Sequence, residues 1–396
     1  MADAGPVSQP DRIAVLDVLR GLALWGVLIG NTVWIYSARW YVPDDTHHAL
    51  DLPAVWFVEL FINGKAMTLL TFMFGLGFAL QLVRGEQRGT DVRRPFARRL
   101  AVLFLIGWCH VAFIWWGDVT WTYALNGFLL LAFVRLRDRW LLVWAACVIF
   151  VPMLVVAIPE IGMWFWTAIP DRAARNTAYV DAIRDGSYVA VIVAHLKQAL
   201  VHSTPGALTY MPWEIGRFLI GLVAGKRHVF DENGAGHLRV WKGVLGIGLV
   251  LACAGVTRTL LAHFVLPGYE LTTAGALMFT TVGELGVLGM VAVYIAATVL
   301  VFQRARWRRV LLVIAPAGRM PLTTYVMQSV IMTTVFYGRG FGLVGEVSFA
   351  GCVGLALVVF PVQIAMANVW LRHYRFGPLE WLWRTLAYGR RQPMRV

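Results

Sequence analysis

The sequence predicts an all-α, polytopic integral membrane protein of about ten transmembrane helices with both termini in the cytoplasm. Three observations predict it. Of the 396 residues, 59% are hydrophobic and only 14% charged, with a mean hydropathy of +0.66, too few charged side chains to coat a soluble globule of this size. The apolar residues fall in runs of about 20, the length at which a helix crosses a hydrocarbon core roughly 30 Å thick. The 35 lysines and arginines gather in alternate loops, 24 on one side against six on the other, which places the richer side in the cytoplasm. The net charge of +13 is therefore an orientation signal, and no nucleic-acid partner is expected. Cys109, Cys147, Cys253 and Cys352 lie far apart inside apolar runs, which excludes a disulfide scaffold or zinc module; no metal site is expected.

The whole chain, 1–396, reads as one polytopic domain, with spans at about 13–36, 55–83, 100–116, 119–134, 140–158, 206–224, 242–263, 277–302, 310–336 and 347–371. The first span is retained rather than cleaved, since Asp3 and Asp11 precede it without a basic cluster. It carries Asp17 and Arg20 at i and i+3, and Asn31 returns to the same face, a polar stripe that must look into the bundle. The second holds Lys65 before the stretch Phe72 to Phe78. The third opens with Arg98-Arg99 and places His110 eleven residues on, close to three turns away and so on the Arg99 face. Gly117-Asp118 turns the chain tightly into the fourth span, within reach of the imidazole, which makes His110 a candidate general base with Asp118 to orient it. A histidine that merely packs is about as well supported by the residues alone.

The fifth span ends at a long segment, 159–205, read as an extracytoplasmic loop. It contains an interfacial helix (188–201) with His195, Lys197 and Gln198 on its polar side. Trp115, Trp116, Trp121, Trp164 and Trp166 fit an interfacial belt on that side. The sixth span carries Glu214 and Arg217, an i, i+3 pair expected to neutralise each other. Glu284 in the eighth has no local partner and must find one on another helix. The ninth is interrupted at Gly318-Arg319-Met320-Pro321 before Tyr325, Gln328 and Ser329, and the amides freed there would suit an anion, or mark a simple kink. The glycine pairs Gly221/Gly225 and Gly286/Gly289 are expected at close helix contacts. The tail, 372–396, is basic and cytoplasmic.

Leu16 to Gly21, Phe72 to Phe78, Gly107 to His110 with Gly117-Asp118, Gly318 to Ser329 and the tail Gly377 to Arg384 together resemble the YeiB-like family of bacterial inner-membrane proteins, over nearly the whole chain and in the family's order. Asp-x-x-Arg-Gly in the first span and the histidine of the third also resemble the transmembrane acyltransferase superfamily that includes heparan-alpha-glucosaminide N-acetyltransferase. That resemblance implies an acyl group, acetyl in the first instance, taken from cytoplasmic acyl-CoA and passed to a cell-surface sugar or small metabolite. His110 would be the base or transient acyl carrier, oriented by Asp118. Asp17, Arg20, Arg98, Arg99 and Lys65 would form the donor channel. The expected partners are the bilayer, the acceptor and, as an open option, a second copy of the chain. The main rival is a transporter or exporter using Asp17, Arg20, Lys65, Glu214 and Glu284 as its path, and the third reading is a scaffold in which these residues only fix packing.

Overall fold

The computed structural model describes residues 12–41, 48–87, 89, 93–158, 161, 172–266 and 272–396. Trp164 and Trp166, and most of the segment 159–171, lie outside them. Among the described residues the regular structure is helical, apart from an isolated bridge between Tyr374 and Arg395. In chain order the helices are α1 (Ala14–Asn31), α2 (Asp51–Phe57), α3 (Lys65–Gln87), α4 (Arg93–Phe113), α5 (Thr120–Phe133), α6 (Asp138–Val156), α7 (Arg172–Asp185) and α8 (Tyr188–Lys226). They continue as α9 (Leu238–Phe264), α10 (Thr273–Phe302), α11 (Ala305–Leu311), α12 (Ala315–Arg319), α13 (Pro321–Phe336), α14 (Phe349–His373) and α15 (Pro378–Tyr388). Among the described residues seven helical segments are long and apolar enough to cross a bilayer, and Thr120–Phe133 and Tyr188–Leu200 are shorter apolar helices. The chain is a multi-pass membrane protein.

A π turn at Thr32–Tyr36 prolongs α1, the centre of the bundle. Val15, Leu16, Val18, Leu19, Ala23, Leu24, Val27 and Leu28 are all buried, so apolar residues cover most of its circumference, as befits a helix surrounded by others. By contrast α9 and α14 leave Ile247, Val250, Val358 and Val369 exposed, the surface expected against lipid. Small residues let backbones meet. A Cβ on Gly75 would collide with the backbone of Phe218, one on Gly255 with Gly286, and one on Gly318 with the carbonyl of Asp17. Gly221 and Gly225 likewise pack against α3, and Gly286 and Gly289 against α9.

Two expectations are corrected. The interfacial helix at 188–201 is the first part of α8, which runs without interruption into the sixth span. Its polar side divides: His195 and Gln198 are buried, whereas Lys197 is exposed together with Val189, Val193 and Leu200. Trp115 is not part of a belt but fully buried, with its ring 4.4 Å from that of Tyr36. Beyond what the sequence offered, the basic tail contains α15, which folds back onto α4 and α13.

Candidate functional site

A cavity of about 440 Å³ opens at one end of the bundle between α1, α3, α4, α13 and α15. Arginines dominate its polar wall: Arg12 and Arg20 around α1, Arg84 and Arg99 on α3 and α4, Arg319 at the end of α12, and Arg375 and Arg384 near α15. Against them stand the carboxyls of Asp17 and Glu380. Asp17 is buried and takes Arg12 Nε at 2.5 Å, Arg12 Nη2 at 3.1 Å and Arg20 Nη1 at 3.0 Å, so the expected i, i+3 pair is present but shared with a third residue. Arg99 donates to Gln81 Oε1 at 2.6 Å and lies 4.5 Å from the Trp383 ring, whose indole N–H donates to the Arg99 carbonyl at 2.7 Å. The Nε atoms of Arg99 and Arg319 are buried and have no hydrogen-bond partner. Burial, and then repulsion from Arg99, push Arg384 down to about 10. A cavity with surplus guanidinium groups, two of them with unspent donors, is suited to a polyanion.

The break in the ninth span is real, and the chain supplies its own acceptor for it. Met320 leaves helical geometry between α12 and α13, and Pro321 restarts the helix at its first turn, where a missing N–H costs nothing. The next two amides, of Leu322 and Thr323, donate to Glu380 Oε1 at 2.6 and 3.1 Å. Thr323 Oγ1 donates to Glu380 Oε2 at 2.6 Å and accepts from the amide of Leu379 at 3.0 Å. The freed amides, read in the sequence as suited to an anion, are thus taken by a carboxyl of the chain itself.

His110 is buried, 3% exposed, beside Tyr325 of the cavity wall. Its Nδ1 is 2.8 Å from Asp118 Oδ1. Asp118 Oδ2 accepts from Thr120 N at 2.9 Å, Thr120 Oγ1 at 2.6 Å and Trp121 N at 3.3 Å, so one carboxylate both starts α5 and fixes the imidazole. Nε2 is buried with no hydrogen-bond partner. The imidazole does not itself line the cavity; Tyr325, whose ring stands edge-on to it at 5.5 Å, and Thr120 form the wall between them. An oriented imidazole with its second nitrogen unengaged has the chemistry of a general base.

Other sequence candidates fall elsewhere. Arg98 and Lys65 do not line the cavity; Lys65 Nζ donates to the Glu59 carbonyl at 2.5 Å. Asn31, at the opposite end of α1 from Asp17, is away from it too. Gln328 donates to the Leu24 carbonyl at 3.2 Å and to Gln363 at 3.3 Å, and Ser329 accepts from Tyr36 at 2.7 Å, which ties α13 to α1 and α14. Glu214 and Arg217 do not pair. Arg217 is bound to Glu284 of α10, whereas Glu214 meets Thr122 and Asn126 of α5, because residues one turn apart on a helix can point to different neighbours. Sequence reasoning missed Arg12, Gln81, Glu380, Trp383 and Arg384, although Glu380 and Trp383 stand inside the tail motif that carried the family resemblance.

Residues 12–183 match the family model for the catalytic region of heparan-alpha-glucosaminide N-acetyltransferase, and residues 224–390 match the model described as "Protein of unknown function (DUF418)". The first of these regions holds Asp17, Arg20, Arg99, His110 and Asp118; the second holds Arg319, Tyr325, Glu380 and Arg384. The chain is 30% identical to "Uncharacterized protein YxaH" of Bacillus subtilis (strain 168), over 100% of its own length and 98% of that protein's. It is 26% identical to "Uncharacterized protein YeiB" of Escherichia coli (strain K12), over 95% of its length and 96% of the other. The chain belongs to the YeiB-like family, which is related to the heparan-alpha-glucosaminide N-acetyltransferase-like acyltransferases.

Proposed function

We propose that this protein is a multi-pass acyltransferase of the bacterial inner membrane, which takes an acyl group, acetyl in the first instance, from cytoplasmic acyl-CoA and passes it to a cell-surface sugar or small metabolite. The observation that carries the reading is the placement of the His110–Asp118 pair directly behind the end wall of an arginine-lined cavity. The residues present fit the donor: unspent guanidinium donors at Arg99 and Arg319 suit its phosphates, and the apolar walls at Phe74, Phe78 and Leu103 suit an extended arm. The donor supplies an activated thioester. The chain's own part is to hold the anionic end with arginines, to exclude water, and to take a proton from the acceptor at His110 Nε2, returning it to the sulfur that leaves as the thioester breaks, while Asp118 keeps Nδ1 protonated. The Tyr325 ring, which lines the cavity and stands edge-on to the imidazole, lies between His110 and a substrate in the cavity.

The test is binding of coenzyme A and acetyl-CoA to purified protein in detergent. Wild type should bind both, Arg99→Ala should bind more weakly, and His110→Ala should bind normally but fail to transfer. Absence of binding by the wild type would overturn the reading.

A further inference from the structure

α15 lies at the edge of the spans, and one side of it faces outward. Four residues, 374–377, separate the end of α14, a span, from Pro378, so the helix starts within about 18 Å of that span's end. Its inner side is committed: Glu380 to the amides of Leu322 and Thr323, and the Trp383 indole N–H to the Arg99 carbonyl. On the outer side Leu382 and Leu386, one turn apart, are exposed.

The chain before and after α15 is basic, and it is held in place. Arg372 and Arg375 precede the helix and Arg390, Arg391 and Arg395 follow it, all exposed; the last three do not line the cavity. Residues 390–396 fold back onto the chain before α15. The Arg375 amide donates to the Met394 carbonyl at 2.9 Å, the Val396 amide to the His373 carbonyl at 3.2 Å, and the Trp381 indole N–H to the Gln392 carbonyl at 2.8 Å. The backbone that carries Arg372 and Arg375 therefore runs beside the backbone that carries Arg395. Arg98 of α4 reaches the other end of the helix, where a Cβ on Gly389 would stand 3.1 Å from its Nη2. Against these arginines, 372–396 has one carboxyl side chain, that of Glu380, which is buried.

A soluble polyanion would engage the arginines and leave Leu382 and Leu386 in water. The headgroup layer of a bilayer uses both, because it offers phosphates to guanidinium groups and the upper ends of acyl chains to leucines. We propose that α15 with residues 390–396 is a docking surface for anionic phospholipid: Leu382 and Leu386 enter the boundary between headgroups and acyl chains, and Arg390, Arg391 and Arg395 bind the phosphates. This holds whether or not the protein transfers acyl groups.

The test is amide hydrogen exchange of the full chain in nanodiscs of phosphatidylcholine, with and without phosphatidylglycerol. With the anionic lipid the amides of 378–389 should exchange more slowly by about fivefold or more, the factor for one arginine beside such a surface. The triple variant Arg390→Gln, Arg391→Gln, Arg395→Gln should lose this difference. Leu382→Ala with Leu386→Ala should exchange faster in either lipid although alanine favours helix, since the inserted side chains are gone. The proposal is overturned by equal exchange in the two lipids, by a slowing shared equally by α9, by a slowing that survives in the triple variant, or by leucine variants that exchange as wild type does. Glycerol 3-phosphate added to phosphatidylcholine nanodiscs should change nothing; if it slows α15 as the lipid does, the surface binds a soluble anion and the lipid assignment falls.

Discussion

Glu380 Oε1 accepts the backbone N–H of Leu322 at 2.6 Å, a hydrogen bond that spans 58 residues and fastens α15 to the break before α13. Helix starts leave donors without intrahelical partners, and a distant side chain here does the work usually left to the residue just before the helix.

Glu380→Ala strips a buried cap and leaves two amides and a hydroxyl unsatisfied, at a cost of about 1–3 kcal/mol. Burial pushes the Glu380 carboxyl above the usual glutamate range, with Thr323 and Leu322 pulling it partly back. A carboxyl raised on folding contributes its stability in the protonated form, so that contribution is complete below about pH 4.3 and is lost as pH rises through the folded-state pKa. Hydrogen exchange of the α15 amides should therefore quicken upward through that window. Exchange that slows with rising pH, after correction for its intrinsic rate, contradicts the assignment.

The surplus arginines should be read by a polyanion through charge. Arg319→Gln and Arg384→Gln should each weaken coenzyme A binding by about tenfold or more, the scale of one charge-assisted hydrogen bond. Titration calorimetry at two salt concentrations checks this, with a smaller salt dependence expected in each variant.

Asp118 has two separable duties. Asp118→Asn keeps an acceptor for the first amides of α5, so Tm should fall little, while transfer should drop about 10²-fold or more because the imidazole loses its anionic orienter. Asp118→Ala should lose both. Equal activity in Asp118→Asn and wild type would remove the pair from the chemistry.

Gly318→Ala should cost about 1–3 kcal/mol, since the new methyl group would run into the Asp17 carbonyl and α12 would have to back away from α1. A detergent melt measures the loss. Binding of coenzyme A should weaken with it, because both residues wall the cavity.

The spans were legible in part because hydropathy and length report a bilayer directly, and among the described residues seven helical segments are long and apolar enough to cross one. The His110–Asp118 contact was legible because a short turn leaves few ways for the two to avoid each other. What failed was partner choice. Glu214 and Arg217 share a helix and a spacing, yet the spacing is silent about Glu284 and Asn126 on other helices, which compete for them. The inward turn of His195 was missed for a related reason, since amphipathicity does not say whether the medium beyond the apolar side is lipid or protein. Glu380 was missed because its role depends on a docking 58 residues away in sequence.

The uninterrupted course of α8 has one more consequence. Its 39 residues have a helical contour of about 58 Å, nearly twice the ~30 Å depth of the hydrocarbon core, with Pro205 near the middle. Such a helix leans or stands out into water, and how far it leans depends on the thickness of the host bilayer. The same helix carries His195 near one end and Glu214 and Arg217 towards the other. Reconstitution in shorter- or longer-chain lipids should therefore shift both polar clusters together, which a change of Tm with lipid chain length would report.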